Sequence, residues 1–188
     1  MTFEATNLQD YIQILGTPPT RGGERVPVTN VNIKGITIQD AGATYLEPHG
    51  MPSGGDWGLQ RRGAVYLEGT EGVSIEECLF TRNDGNSIML SGYNRGTFIK
   101  NVEAVWNGDS VIAAWGVTDG IDGTSGEQPR DTVVDGMFCH EIGQVCCQCS
   151  PQVFAHGSIK SHVCLSIVRK TIQLLVCRSN TVSSIMSQ

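Results

Sequence analysis

The sequence is poor in basic residues and has no long apolar run, and each absence excludes a class of function. Lys and Arg total 13 against 19 Asp and Glu, so the net charge is −6. A general nucleic-acid-binding protein is therefore not expected, because such proteins need a basic face to neutralise phosphates. No segment approaches the ~20 apolar residues that span a bilayer, so no membrane span is predicted. Residues 1–16 lack a basic start and do not read as a secretory signal.

A regular cysteine framework and helical periodicity are also missing. The seven cysteines are an odd number at irregular spacing, which is poor evidence for disulfides and leaves the cellular compartment open. Periodic runs of Ala, Leu or Lys are scarce, whereas glycine supplies 23 of the 188 residues. The usual share of glycine is only ~7%. This composition disfavours a helical bundle and favours many short strands joined by tight turns.

An internal repeat of about 24 residues is the main positive signal. Segment 72–80 superposes on segment 96–104, with apolar residues coinciding at 75/99, 78/102 and 80/104. The same apolar spacing, three residues and then two, recurs at 33, 36 and 38 and at 134, 137 and 139. A second strand follows at a similar interval, over 64–66, 88–90 and 112–114, and the turns between strands are rich in Asn, Asp and Gly. Asn, Asp and Gly tolerate left-handed backbone, as such turns require.

The repeat predicts an all-β fold, a right-handed parallel β-helix of about four coils that is truncated. Equivalent strands would pair about 4.8 Å apart, and their inward side chains would form columns. Residues 1–29 are predicted to be an N-terminal cap or lead-in, 30–144 the coils, and 145–188 an atypical C-terminal segment, either a cap or disordered. Loops are inserted at about 41–62 and 117–131. A Greek-key sandwich is the competing all-β interpretation, although it does not explain the fixed offset.

Acidic side chains gather at one turn of successive predicted coils. Asp84 and Asp109 fall in the same turn of neighbouring coils, and the strand ends align Asp40, Arg82, Trp106 and Glu141. Two carboxylates that flank a glycosidic oxygen suffice for hydrolysis, because one protonates the leaving oxygen and the other attacks or activates water. The catalytic candidates are therefore Asp109, Glu141 and Asp84. The candidates for substrate binding are Arg82, Trp106, His140, Trp57 and His49. Backbone capping is the alternative role for the turn acids.

The remaining motifs do not predict a cofactor or a metal site. The segment from His140 lacks the second histidine of a metalloprotease helix. The cluster Cys146-Cys147-Gln148-Cys149 lacks the paired spacing of a zinc site. Cys78 and Cys139 fall in inward columns and are expected to be core residues. Further polar side chains lie in the two inserted loops: Tyr45, Glu47, Asp56, Asp119, Asp122, Glu127 and Arg130.

Several segments between residues 3 and 144 are similar in sequence to one protein family. They are NVNIKGITIQD at 30–40, TYLEPHGMPSGGDW at 44–57, GAVYLEG at 63–69, DGN at 84–86, SGYN at 91–94, GDS at 108–110, AAWG at 113–116, GEQPR at 126–130 and HEIG at 140–143. They resemble large carbohydrate-active proteins with a pectin-lyase-like right-handed parallel β-helix. Members of that family usually extend beyond both ends of this chain, so the chain is interpreted as a fragment.

The resemblance implies a secreted or surface protein acting on a polysaccharide or oligosaccharide, most plausibly as a glycoside hydrolase with acidic catalytic residues. Asp109 and Glu141 are the acids best placed for that role, with Asp84 third. Two alternatives stay open. One is a non-catalytic glycan-binding module or inactive fragment, and the other is a polysaccharide lyase in which a metal acidifies a uronate proton and Arg82 acts as base. The sugar, the linkage and the oligomeric state are not predicted.

Overall fold

The computed structural model describes residues 7–19, 23–42, 60–116 and 126–144, together with strands at 154–155, 159–168 and 171–175. This part of the chain is all-β, as predicted, and contains no helix. The strands are β1 (Ile12–Leu15), β2 (Val28–Thr29), β3 (Asn32–Lys34), β4 (Thr37–Gln39), β5 (Gly63–Glu71), β6 (Ser74–Glu76), β7 (Leu79–Thr81), β8 (Asn86–Arg95), β9 (Phe98–Lys100), β10 (Glu103–Val105), β11 (Ile112–Trp115), β12 (Pro129–Arg130), β13 (Thr132–His140), β14 (Phe154–Ala155), β15 (Ile159–Val168) and β16 (Thr171–Leu175).

Two sheets contain all of these strands. The first runs β1-β5-β8-β11-β14, with β2 added to β5 and β12 added to β8. The second runs β3-β6-β9-β13-β10-β7-β4, with β15 added to β13 and β16 to β15. Strand pairing is parallel throughout except between β15 and β16. Parallel neighbours need crossover connections, so the chain passes from one sheet to the other between successive partners.

The strand register follows the repeat found in the sequence. Ile75 is the register partner of Ile99 in the second sheet, and Ile88 is the partner of Ile112 in the first. Both pairs are 24 residues apart. The second sheet also places Ile33 beside Ile75. The predicted vertical pairing of equivalent apolar positions is therefore confirmed.

The core lies between the two sheets and is built from these paired positions. Ile75, Phe80, Ile88 and Ile99 are each fully buried, and burying one such side chain stabilises the fold by about 1.5–3 kcal/mol. Cys78 and Cys139 are buried in the core, as expected. Ile36 differs from its predicted inward position, because it is 39% exposed. It precedes β4, which ends the sheet order and pairs with β7 alone.

Segments on both sides of residues 30–144 also supply strands. Strand β1 pairs in parallel with the first half of β5, with Ile12 beside Val65. At the other end β14 pairs with β11 and β15 with β13. Of the second predicted inserted loop, Pro129 and Arg130 form β12 on β8.

Three sets of left-handed residues recur at equivalent places of the repeat. Every non-glycine residue with positive φ in the described residues belongs to one of them, with φ between 50 and 60°. The sets are Asn30, Gly72, Gly96 and Asp131; Gly35, Glu77, Asn101 and Gly136; and Asp40, Arg82, Trp106 and Glu141. A single left-handed residue bends the chain sharply between one strand and the next. The third set, which we call the turn column, carries four of the side chains aligned from the sequence.

Candidate functional site: the turn column and the aromatic patch

The turn column brings its four side chains to neighbouring strands of the second sheet. Asp40, Arg82, Trp106 and Glu141 have φ values of 60, 53, 55 and 54°. The amides of the first three donate to carbonyls on the neighbouring strand, at 3.1–3.3 Å. Their predicted alignment is therefore present in the structure.

Arg82 is engaged with Asp40 through a two-pronged ion pair. Its Nε lies 2.7 Å from Asp40 Oδ1 and its Nη2 lies 2.8 Å from Oδ2. The hydrogen bonds from Arg82 lower the pKa of Asp40 below its ordinary value, against an opposing effect of burial. This geometry is the bidentate fork that guanidinium and carboxylate groups favour. Arg82 is thus a positioned cation at the surface, half exposed beside a carboxylate.

Aromatic rings gather beside the turn column. Trp106 is 54% exposed and Phe138 is 40% exposed. The His140 ring joins them, with its centroid 6.4 Å from Trp106 in an edge-on arrangement and 5.1 Å from Phe138. His140 Nε2 also lies 3.6 Å from Glu103 Oε1. We call Trp106, Phe138 and His140 the aromatic patch.

The three predicted catalytic acids occupy different environments. Asp109 is buried, with 3% exposure, and accepts a 3.4 Å hydrogen bond from Ser110 Oγ. Asp84 is exposed, and Glu141 is half-buried. Gln144 Nε2 lies 3.4 Å from Glu141 Oε2. Asp84 and Glu141 therefore reach solvent, whereas Asp109 is enclosed within its turn.

Buried asparagines hold the turn that carries Asp84 and Asp109. The Asn83 Oδ1 accepts a hydrogen bond from the Ala41 amide at 3.0 Å. Asn107 Nδ2 donates to Ser87 Oγ at 2.6 Å. Both asparagines are fully buried. They satisfy polar groups that strands leave unpaired where the chain turns.

Two predicted substrate-binding residues, Trp57 and His49, lie outside the described residues, as do most of the polar side chains of the inserted loops. In the described ranges no three His, Cys, Asp or Glu side chains come together as metal ligands. The same ranges hold no helix that is long and apolar enough to cross a membrane.

The sequence did not predict two polar clusters on the first sheet. In one, the guanidinium groups of Arg25 and Arg95 lie over the Tyr93 ring at 4.2 and 4.1 Å, and the Tyr93 hydroxyl donates to Glu71 at 2.6 Å. The other is a groove of about 530 Å³ on the outer face of β1 and β5, which we call the outer groove. Its lining includes Asp10, Gln13, Leu15, Arg61, Tyr66 and Glu68. The alternation of Tyr66 and Glu68 within GAVYLEG was the available signal, since alternate strand residues share one face.

Comparisons of the chain with protein-family models, curated proteins and solved structures find no match.

Proposed function

We propose that this chain is a right-handed parallel β-helix that binds polysaccharide along the turn column and the aromatic patch. The fold proposal is supported by parallel pairing at a fixed 24-residue offset, as between Ile75 and Ile99. It is also supported by the recurrence of left-handed residues at equivalent turns. A stack of such turns presents a straight row of side chains, one per coil.

Trp106 carries the functional proposal. A bulky side chain at positive φ is unfavourable, and left-handed backbone costs about 1–2 kcal/mol for a residue other than glycine. The indole is nevertheless 54% exposed, so core packing does not account for it. The left-handed backbone itself is shared with Asp40, Arg82 and Glu141 at the equivalent turns, so the exposed indole is what distinguishes Trp106. An exposed indole offers a flat apolar face, which suits the C–H face of a sugar ring.

Polar groups on both sides of Trp106 complement that face. The Arg82–Asp40 pair lies on one side, and Glu141 lies on the other. Carboxylates accept hydrogen bonds from sugar hydroxyls, and guanidinium groups donate to sugar oxygens. The combination of one apolar platform with flanking donors and acceptors is typical of sites for polyhydroxylated ligands.

Hydrolysis of the bound glycan is the second candidate function. The observation that favours it is that Asp84 and Glu141 are both open to solvent. Asp109 is less suited to touch a substrate, because it is 3% exposed. Nothing similar favours a lyase, since Arg82 is forked onto Asp40 and guanidinium groups stay protonated in proteins.

The binding proposal is tested by affinity electrophoresis of the purified chain through gels that contain soluble neutral or acidic polysaccharides. Trp106→Asn removes the indole and keeps a residue that tolerates left-handed backbone. We expect at least about a tenfold loss of affinity, as for anchoring tryptophans elsewhere. Val26→Asn is the matched control, since Val26 is 63% exposed and away from the turn column. Equal retardation of both variants would refute the role of Trp106.

Hydrolysis is tested separately by measuring reducing ends released from a polysaccharide that the chain binds. Asp84→Asn and Glu141→Gln should each abolish release. Asp84→Asn should keep the retardation in the gel, whereas Glu141→Gln also removes a carboxylate of the proposed binding row and is expected to weaken it. Release that persists in both variants would remove these acids from the mechanism. No release by the unaltered chain, with retardation intact, would leave a binding protein without hydrolytic activity.

A further inference from the structure

Two carboxylates lie beside the aromatic patch, one at each end of it along the strand direction. Glu103 on β10 is the register partner of Phe138 on β13, and its Oε1 lies 3.6 Å from His140 Nε2. Glu141 directly follows His140, whose carbonyl accepts a hydrogen bond from the Trp106 amide at 3.3 Å. Glu103 is exposed and Glu141 is half-buried. Both acids are therefore within reach of a ligand that covers the rings.

Neither carboxylate is paired with a Lys or Arg in the part of the chain that the structure describes. There, Glu103 pairs only with His140, which is a cation only when protonated. The Glu141 carboxylate accepts a hydrogen bond only from the neutral side chain of Gln144, at 3.4 Å. The two negative charges are thus open to a cation that comes from outside the protein.

The sequence that follows each member of the turn column contains no basic residue. Stretches 41–60, 83–94, 107–129 and 142–159 have no Lys or Arg, and they contain two, one, four and no Asp or Glu. Arg82, the basic member of the turn column, is held by Asp40 in the bidentate pair. Charge of one sign at a surface attracts ligands of the opposite sign. These stretches therefore favour a cationic ligand over an anionic one.

An exposed indole beside carboxylates suits an ammonium group. Ammonium ions are attracted to the faces of aromatic rings, and tryptophan attracts them most strongly. An ammonium also donates three hydrogen bonds and accepts none, so Glu103 and Glu141 are matched acceptors. A neutral sugar gains no Coulomb attraction from these acids, and an acidic sugar would be repelled by them.

We propose that the polysaccharide bound at the aromatic patch is a cationic polymer of unacetylated amino sugars, whose ammonium groups pair with Glu103 and Glu141 beside Trp106. This inference rests on the proposed function, because it names the class of glycan for that same surface. An amino-sugar ring offers an apolar face to the indole and an ammonium to the carboxylates. A lysine-rich peptide offers only an ammonium on a flexible stem.

The test is isothermal titration calorimetry of the full chain with a glucosamine oligomer and its fully N-acetylated form, in a buffer where the amines are protonated. The two oligosaccharides share one backbone and differ in charge. A lysine oligomer with the same number of amines is the third ligand. Glu103→Gln and Glu141→Gln each remove one proposed charge and keep the shape of the side chain. Glu24→Gln is the matched control, because Glu24 is exposed ahead of β2 and its loss changes the net charge equally.

We expect the amine form to bind at least about tenfold more tightly than the acetylated form, because each exposed ion pair contributes up to about fivefold and the indole adds to this. Glu103→Gln and Glu141→Gln should each weaken binding of the amine form by about two- to fivefold and change binding of the acetylated form less. Glu141→Gln should have the larger effect, since Glu103 also faces His140. Glu24→Gln should leave the ratio of the two affinities unchanged.

Equal affinities for the two oligosaccharides would overturn the inference. So would a lysine oligomer that binds as tightly as the amine form, or a loss in Glu24→Gln equal to that in the two patch variants. Trp106→Asn separates the two proposals and should weaken binding of both oligosaccharides. If it does so while the unaltered chain binds both equally, only the choice of amino sugars is wrong. If it weakens neither, the proposed role of Trp106 is refuted and this inference with it.

Discussion

Asn83→Ala is expected to destabilise the protein strongly, although it removes only a small polar side chain. Asn83 is fully buried. Its Oδ1 accepts from the Ala41 amide at 3.0 Å, and its Nδ2 lies 3.5 Å from the Ile38 carbonyl. Alanine leaves the buried Ala41 amide unpaired, which costs about 1–3 kcal/mol. A cavity where the amide group stood adds to this, so the free energy of unfolding should fall by about 2–4 kcal/mol.

Urea unfolding followed by circular dichroism measures this loss directly. Asn32→Ala is the control, because Asn32 is exposed on β3, and it should change stability by less than about 0.5 kcal/mol. If Asn83→Ala unfolds at the same urea concentration as the control, the turn does not depend on the buried amide. The account of the turn given above would then be wrong.

Three further predictions concern the core, alkaline pH and acid pH. Phe80→Ala should lower the free energy of unfolding by about 3–5 kcal/mol. Adding Ala104→Phe should restore part of that free energy, because the two residues are register partners. If the second substitution does not raise the urea midpoint, the pairing is contradicted. Tyr66 has a pKa raised to about 12 in the fold, against ~10 when unfolded. Its contribution to stability should therefore be complete below pH ~10 and lost as pH rises toward 12, and Tyr66→Phe should lack this loss in urea titrations. The pKa of Asp40 is lowered in the folded state. Its ion pair with Arg82 should therefore stabilise the fold at pH values above the pKa of the unfolded chain, and this contribution should be lost in acid. Asp40→Asn should lower the free energy of unfolding by less than about 1 kcal/mol at pH 7, since the ion pair is partly exposed, and should not change it near pH 2. An equal loss at both pH values would refute the stabilising role of the ionised Asp40 carboxylate.

The register of the strands was predictable because the repeat fixes it. Apolar residues at a constant offset bury well only if equivalent strands pair, and Ile75 lies beside Ile99 accordingly. Ile36 was not predictable in the same way. Its local pattern matches that of buried Cys78, but Ile36 is 39% exposed, which depends on what packs over it in three dimensions. The local pattern carries no information about that.

The site was predictable where it depends on chain position and unpredictable where it depends on side-chain direction. The alignment of Arg82 with Trp106 follows from the repeat alone. The different burial of Asp84 and Asp109 does not, because both lie in similar Asn- and Gly-rich turns. Phe138 is missed for another reason, since an aromatic residue in a strand is normally assigned to the core. The outer groove needs β1 beside β5, a contact between segments that share no repeat.

The spacing of the strands beside the turn column also predicts which stereochemical outcome hydrolysis by Asp84 and Glu141 would have. Asp84 lies just after β7, and Glu141 lies just after β13. Strand β10, which precedes Trp106, lies between these two strands in the sheet. Two strand spacings place the backbones of β7 and β13 about 9.6 Å apart, which is nearer to the ~6.5–9.5 Å between carboxyl groups of inverting enzymes than to the separation in retaining enzymes. Retaining enzymes need only ~5–5.5 Å. Any hydrolysis by Asp84 and Glu141 should therefore invert the anomeric centre, as proton NMR of the first product formed would detect. A product with retained configuration would mean that a different pair of groups performs the reaction.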